Sequence, residues 1–296
     1  KGEFSQVFKG REKKKIEYVA IKRIEKSMMS KVVSEVQVMH KLSCAHMLKF
    51  HDWYETRNNL WLILEYCTGG DLEALIKQDG HLPETSVRIF GLDIVAAIKY
   101  MHGEGMLHCD IRPCNFLVDE YGILKLSDFK NVRKIPKEPL GETPMGSRGT
   151  PDYMSPELFT EEGMHSYQSD FWAIGVVLYQ LRRGSLPFGD ENTLLPRLIE
   201  NVRTLDPVHN PLPLNATAEE SKSGDRNAHP PVTADLADLL QWLLEKNPAN
   251  RGNWEAICAH PFWQPHNPVP PSKLPDQPAF DAYTRNLERA QSVLFE

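Results

Sequence analysis

The spacing of apolar and polar positions changes character near residue 67. Residues 4–10 and 17–23 alternate as half-buried strands do, and the charged run Arg11-Glu12-Lys13-Lys14-Lys15 between them reads as a turn. From 30 to 42 the period lengthens, and Val33, Val36, Met39 and Leu42 fall on one expected helical face. Two further strands are expected at 48–54 and 60–66, joined by the polar turn Thr56-Arg57-Asn58-Asn59. Thr68-Gly69-Gly70-Asp71 then breaks the strand pattern and opens a helix. Beyond it, 83–102 carries Val87, Phe90, Ile94, Ala97, Ile98 and Met101 at helical spacing, and 234–244 is amphipathic. Residues 168–181 are apolar nearly all round, which predicts a buried helix. Short strands are expected at 116–118 and 124–127, before a long loop reaching Pro156. The pattern predicts an α+β chain in two lobes, a small β-rich one with one helix (1–66) and a larger helical one (67–263).

Two stretches fit neither lobe. Residues 206–231 are rich in Pro, Asn, Ser and charge and read as a surface insertion. A Pro-rich linker from 264 leads into an amphipathic tail around Phe280, Tyr283, Leu287, Ala290 and Leu294. With 296 residues, 41% hydrophobic and a net charge of −6, the chain has enough apolar content for a sizeable core. The weakly acidic balance gives no broad attraction to nucleic acid or anionic membrane, and no apolar run is long enough to span a bilayer. Five scattered cysteines form no CxxC pair, so neither a disulfide framework nor a zinc ribbon is expected, and a reducing setting fits best.

Several short motifs fall in a meaningful order. Val19-Ala20-Ile21-Lys22 is an apolar strand ending in one lysine, and Glu35 lies on the following helix where it can pair with that lysine. Each alone is ordinarily a solvated surface residue. In His108-Cys109-Asp110-Ile111-Arg112-Pro113-Cys114-Asn115, a carboxylate precedes an amide by five residues in a tight loop, with a cation between them. That spacing suits a group that receives a hydroxyl proton and a second that binds magnesium. Asp128, in Ser127-Asp128-Phe129-Lys130, directly follows a strand and is a second candidate magnesium ligand. Gly149-Thr150-Pro151-Asp152-Tyr153-Met154-Ser155-Pro156-Glu157 closes the long loop, and Arg251 is the natural partner for Glu157. Gly2, in Lys1-Gly2-Glu3-Phe4-Ser5-Gln6-Val7, is what is present of a Gly-rich phosphate-covering loop.

Taken in order, Lys22, Glu35, Asp110, Asn115, Asp128, Thr150, Glu157, Asp170 and Arg251 resemble the eukaryotic protein kinase family from Gly2 to about Trp263. Gly149-Thr150-Pro151 and Arg112 favour its serine/threonine side. Trp53-Tyr54-Glu55-Thr56, 64–72 and 274–281 resemble the unc-51-like/Fused kinases. The resemblance implies a bilobal kinase fold, ATP and Mg2+ as cofactors, and a protein substrate. It also implies microtubule-associated partners, a cytoplasmic setting, and cytoskeletal or ciliary association. Leu64 would be the gatekeeper, and the backbone of Glu65 and Cys67 would meet the adenine. Val7, Ala20 and Leu117 would sandwich the ring, and Asp71 would meet the ribose. Met39, Phe50, Phe129 and His108, resting on Asp170, would form the regulatory spine.

Three positions depart from the family pattern. Cys109 stands where an arginine would receive a phosphorylated loop, so activation is expected not to need phosphate at Thr143, Ser147 or Thr150. The lone cysteine reads as a structural replacement rather than a redox thiol. Arg112 replaces a lysine, exchanging a compact charge for a flat fork. Lys130 replaces a glycine, which restricts the backbone and adds a cation beside the magnesium site. Two functions therefore stand open: an ATP-dependent serine/threonine kinase with Asp110, Arg112 and Lys22 as catalytic residues, or a pseudokinase scaffold that binds nucleotide without efficient transfer.

Overall fold

The computed structural model describes residues 5–13, 17–135, 149–161, 163–190, 192–208 and 232–264. Strands β1 (Ser5–Arg11), β2 (Tyr18–Glu25), β3 (Phe50–Glu55) and β4 (Asn59–Glu65) form an antiparallel sheet in the order β1-β2-β4-β3. Alternation in β4 sets which face is which. Leu60, Leu62 and Leu64 are buried, while Trp61 and Ile63 on the other face are only partly covered. Each buried leucine stabilises by about 1.5–3 kcal/mol relative to exposure. Opposing residues share a face, so the register Val7↔Lys22↔Leu62 puts Lys22 on the inner side of β2.

Helix α1 (Met29–Lys41) lies under that inner face. Its buried residues are Val32, Glu35 and Met39. The expected stripe is thus corrected: Val33 is 41% exposed and Val36 only half-buried, whereas a carboxylate takes a core position. Periodicity counts only apolar side chains and so turned the helix by about one residue.

The second lobe is helical, with α2 (Leu72–Asp79), α3 (Glu84–Gly103), α4 (Tyr167–Arg183), α5 (Leu195–Thr204), α6 (Ala234–Leu243) and the short α7 (Trp254–Cys258). Asp71 and Thr233 cap α2 and α6 by accepting the Ala74 and Leu236 N–H groups. As its all-round apolarity predicts, α4 is the central helix, with Phe171, Trp172, Ile174, Val176, Val177 and Leu178 buried between its neighbours. Ser166 and Ser169 form a reciprocal capping box at its start. Gly184 ends it at φ 75°, where an added Cβ would sit 2.0 Å from the Gly80 carbonyl oxygen.

Two small ribbons carry the loops of interest: β5 (Met106–Leu107) with β8 (Arg133–Lys134), and β6 (Phe116–Val118) with β7 (Leu124–Leu126). The first ribbon and helices α5 and α7 have no counterpart in the pattern reading, being short or paired only through distant residues. Of the expected insertion only 206–208 lies within the described residues, and the tail beyond 264 lies outside them. Among the described residues no helix is long and apolar enough to cross a membrane.

Candidate active site

Lys22 projects from the inner face of β2 toward α1, and its Nζ lies 2.7 Å from Glu35 Oε1. Both side chains are largely buried, at 19% and 8% exposure. An uncompensated buried carboxylate is costly, so this pair holds α1 against the sheet while aiming the ammonium into the cleft.

Across the cleft, the loop between β5 and β6 hangs from Asp170 near the start of α4. Asp170 is 1% exposed, and its oxygens accept the backbone N–H of His108 at 3.0 Å and of Cys109 at 3.1 Å. His102 Nε2 lies 2.8 Å from Asp170 Oδ2, and His102 Nδ1 accepts the indole N–H of Trp254 at 3.1 Å. Because indole nitrogen only donates, Nδ1 carries the lone pair and the proton on Nε2 points at Asp170. Burial pushes the Asp170 carboxyl up, but the His102 bond and the His108 backbone N–H outweigh it and hold it below the usual carboxylate range. His108 thus rests on Asp170, as the resemblance implies, through its backbone; the side-chain partner of Asp170 is His102, and the His108 ring meets Phe129 edge-on at 6.2 Å.

Asp110 is fixed on every side. Oδ1 accepts the Thr150 hydroxyl at 2.8 Å and the Thr150 N–H at 3.2 Å, and Oδ2 accepts Asn131 Nδ2 at 3.1 Å. Its carbonyl accepts Asn115 Nδ2 at 2.8 Å. Arg112 donates from Nη1 to the Thr150 hydroxyl at 2.9 Å and from Nε to Cys114 Sγ at 2.8 Å. The Thr150 hydroxyl therefore links Arg112 to the carboxylate. Gly149 permits this approach at φ 92°, where a Cβ would come within 2.6 Å of the Cys109 carbonyl oxygen. Asn131 went unnoticed in the sequence, since an asparagine in a turn usually serves its own backbone.

The two candidate magnesium ligands are tied together. Asn115 is 4% exposed, and its carbonyl accepts both the N–H and the hydroxyl of Ser127, the residue before Asp128. An amide oxygen and a carboxylate are hard donors that suit magnesium completed by phosphate oxygens. Among the described residues no group of three or more His, Cys, Asp or Glu is placed to hold a metal ion. Asp128 adopts φ 62°, ψ 70°, an uncommon conformation for a non-glycine residue. Its Oδ2 accepts Lys130 Nζ at 2.7 Å. Burial pushes the Asp128 carboxyl up, yet the Lys130 bond and charge, with Lys22 and His108, bring it below its ordinary value.

Phe129 is 2% exposed, and the 3₁₀ turn it begins packs on α1 beside Met39. Glu157 meets Arg251 in a two-pronged pair at 2.7 and 2.8 Å, as the sequence suggested. Cys109 is 5% exposed with φ 65°, and burial pushes its thiol up, which fits the packing role expected of it.

On the nucleotide side, Leu64 is buried, Ala20 and Leu117 are half-buried, and Val7 is 65% exposed at the cleft edge. The Glu65 N–H is taken by the Lys49 carbonyl at 2.9 Å. The Cys67 thiol is pushed up to about 12, by burial first and then the Glu65 carboxylate. Asp71 spends Oδ1 capping α2, and its backbone bridges Leu117. Gly2 lies outside the described residues.

The protein kinase domain model matches residues 1–263. Among curated proteins, the chain is 42% identical over 281 residues to serine/threonine-protein kinase RUNKEL of Arabidopsis thaliana, covering 95% of this chain and 19% of that protein. It is 34% identical to serine/threonine-protein kinase ULK4 of Mus musculus, over 89% of this chain and 21% of that protein. It is 30% identical to serine/threonine-protein kinase ATG1b of Arabidopsis thaliana, over 88% and 35%. The chain thus spans about a fifth of the first two relatives and about a third of the third.

Proposed function

Because this chain belongs to the protein kinase family, and its relatives carry serine/threonine kinase names, we propose that it transfers the γ-phosphate of ATP to a protein hydroxyl. The observation that carries this reading is the fixed carboxylate of Asp110, oriented by Thr150 and Asn131 with the Arg112 cation alongside. Phosphoryl transfer requires positioning and charge neutralisation more than covalent chemistry. Lys22, kept in place by Glu35, binds the α- and β-phosphates. Asp110 aims the acceptor hydroxyl and receives its proton, displacing Thr150 from one oxygen. Arg112 neutralises charge on the transferred group. Asn115 and Asp128 hold magnesium, which when bound neutralises the phosphates. Val7, Ala20, Leu64 and Leu117 enclose the adenine, the Glu65 carbonyl and Cys67 N–H read its edge, Asp71 meets the ribose, and Gly2 covers the phosphates.

A specific observation also favours the second reading. Lys130 already supplies a cation to Asp128, so the chain has a built-in counter-charge where the metal would bind. On that reading the domain is a nucleotide-responsive scaffold whose transfer is slow. Incubation with ATP, magnesium and a generic protein substrate separates the two, with Asp110→Asn as control. Phosphate transfer lost in the control is the expected result; ATP binding with equal, negligible transfer in both proteins would establish the scaffold instead. Family resemblance supports microtubule-associated partners and a cytoplasmic, cytoskeletal or ciliary setting. The net charge of −6 gives no support to nucleic acid or membrane partners.

A further inference from the structure

The end of α1, the start of β3, the end of β4 and Lys125 of β7 line a cavity of about 380 Å3. That volume falls within the range of small-molecule sites. Its floor is apolar: Met39, Leu42 and Met47 are 3–6% exposed, and the half-buried Phe50 meets the His40 ring edge-on at 4.8 Å. None of these residues has a role in the proposed phosphoryl transfer beyond packing.

The polar wall decides what ligand the cavity suits. Lys125 is neutralised by two carboxylates, Glu65 and Asp119, each at 3.4 Å. The second oxygen of Glu65 accepts the backbone N–H of Lys49 at 3.1 Å. The acceptors on the wall are therefore already supplied with donors. What remains uncommitted is donor capacity. The Lys49 ammonium is exposed at the rim and forms no ion pair among the described residues, and the half-buried Cys44 offers an S–H. A cationic ligand would meet the Lys49 ammonium, and a neutral hydrocarbon would leave it unused.

From this arrangement we infer that the cavity is a binding site for a small anion with a flat apolar body, such as an aryl sulfonate or aryl carboxylate. The flat body lies against the half-buried Phe50, and the anionic group meets Lys49. This site shares only Glu65 with the proposed nucleotide contacts, through its side chain rather than its backbone, and is independent of whether the domain transfers phosphate.

The test uses 8-anilinonaphthalene-1-sulfonate, whose fluorescence rises on entering an apolar site, with the nucleotide cleft saturated by a non-hydrolysable ATP analogue. The expected result is saturable single-site binding. Lys49→Glu weakens it by about fivefold, the upper end of what one exposed ion pair contributes, and Lys49→Arg preserves it. Ser43→Trp, at an exposed position in the mouth, abolishes it by filling the space. Thermal melts by circular dichroism confirm that each variant is folded, and Ser43→Trp stands as an independent arm should charge reversal impair folding. Absence of saturable binding, or binding equally strong in Lys49→Glu and Ser43→Trp, would overturn the inference. None of these readouts depends on turnover, so they are distinguishable from failure of the kinase reading.

Discussion

Lys130→Gln removes the cation from Asp128 while keeping a side chain of similar length. In the wild type, a magnesium ion approaching Asp128 has two routes. If Lys130 stays in place, 2.7 Å from the carboxylate oxygen, a metal about 2.1 Å from that oxygen on its far side lies at most about 4.8 Å from the ammonium. The repulsion of one and two charges at that separation is about 1.7 kcal/mol even with the dielectric constant of water. If Lys130 instead swings into solvent, the cost is that of breaking an exposed ion pair, about 0.2–1 kcal/mol. The Lys130 side chain is 52% exposed and free to take the second, cheaper route. Removing the charge should therefore lower the magnesium concentration needed for half-maximal tightening of ATP binding by up to about fivefold. Calorimetric titration of ATP across a magnesium series measures this, with Lys130→Arg expected to behave as the wild type. An unchanged magnesium midpoint in Lys130→Gln would refute the competition between ammonium and metal.

Three other outcomes are expected. Glu157→Gln leaves the fully buried Arg251 without its counter-charge, though still bonded to the Glu245, Gln168 and Lys246 carbonyls, and should cost about 3 kcal/mol, measured as a fall in thermal midpoint at neutral pH. Burial pushes the Glu157 carboxyl up, but Arg251 brings it below its ordinary value; the pair's contribution is thus complete above the usual glutamate range and lost as pH falls through the depressed value, so the wild type and Glu157→Gln should converge in acid. Asn131→Ala removes a hydrogen bond to a charged oxygen and should lower kcat by roughly tenfold with KM for ATP little changed, whereas a merely structural role would lower stability and leave kcat intact. With a buried thiol at Cys109 in place of an arginine, phosphatase treatment should leave activity unchanged; a loss restored by a phosphomimic at Thr143 or Ser147 would show that another cation receives the phosphate.

Much of this architecture was legible because local physics decides it. The alternation of β4, the all-round apolarity of α4 and the order of charged residues from Lys22 to Arg251 each follow from chain-local spacing, and the protein kinase family match agrees with them. The pairings of Lys22 with Glu35 and Glu157 with Arg251 were suggested by the order of the motifs, whereas the burial that makes them strong appears only in the structure.

What only tertiary structure decided are the contacts whose partners are remote and whose residue types are commonplace. Nothing in the spacing distinguishes Val32 from Val33; the rotation of α1 is set by the need to bring Glu35 under β2. His102 reads as an ordinary residue at a helix end, and becomes the partner of Asp170 only when α3, α4 and α7 converge. Asn131 and Thr150 reach the two oxygens of Asp110 from opposite sides, across 21 and 40 residues of chain. Lys130 was conspicuous in the sequence as a cation near a metal site, but whether it points at Asp128 or away from it depends on the backbone of one turn. The sequence by itself determined which groups are candidates to hold phosphate and metal; the packing of the two lobes determined which of them are already engaged with one another.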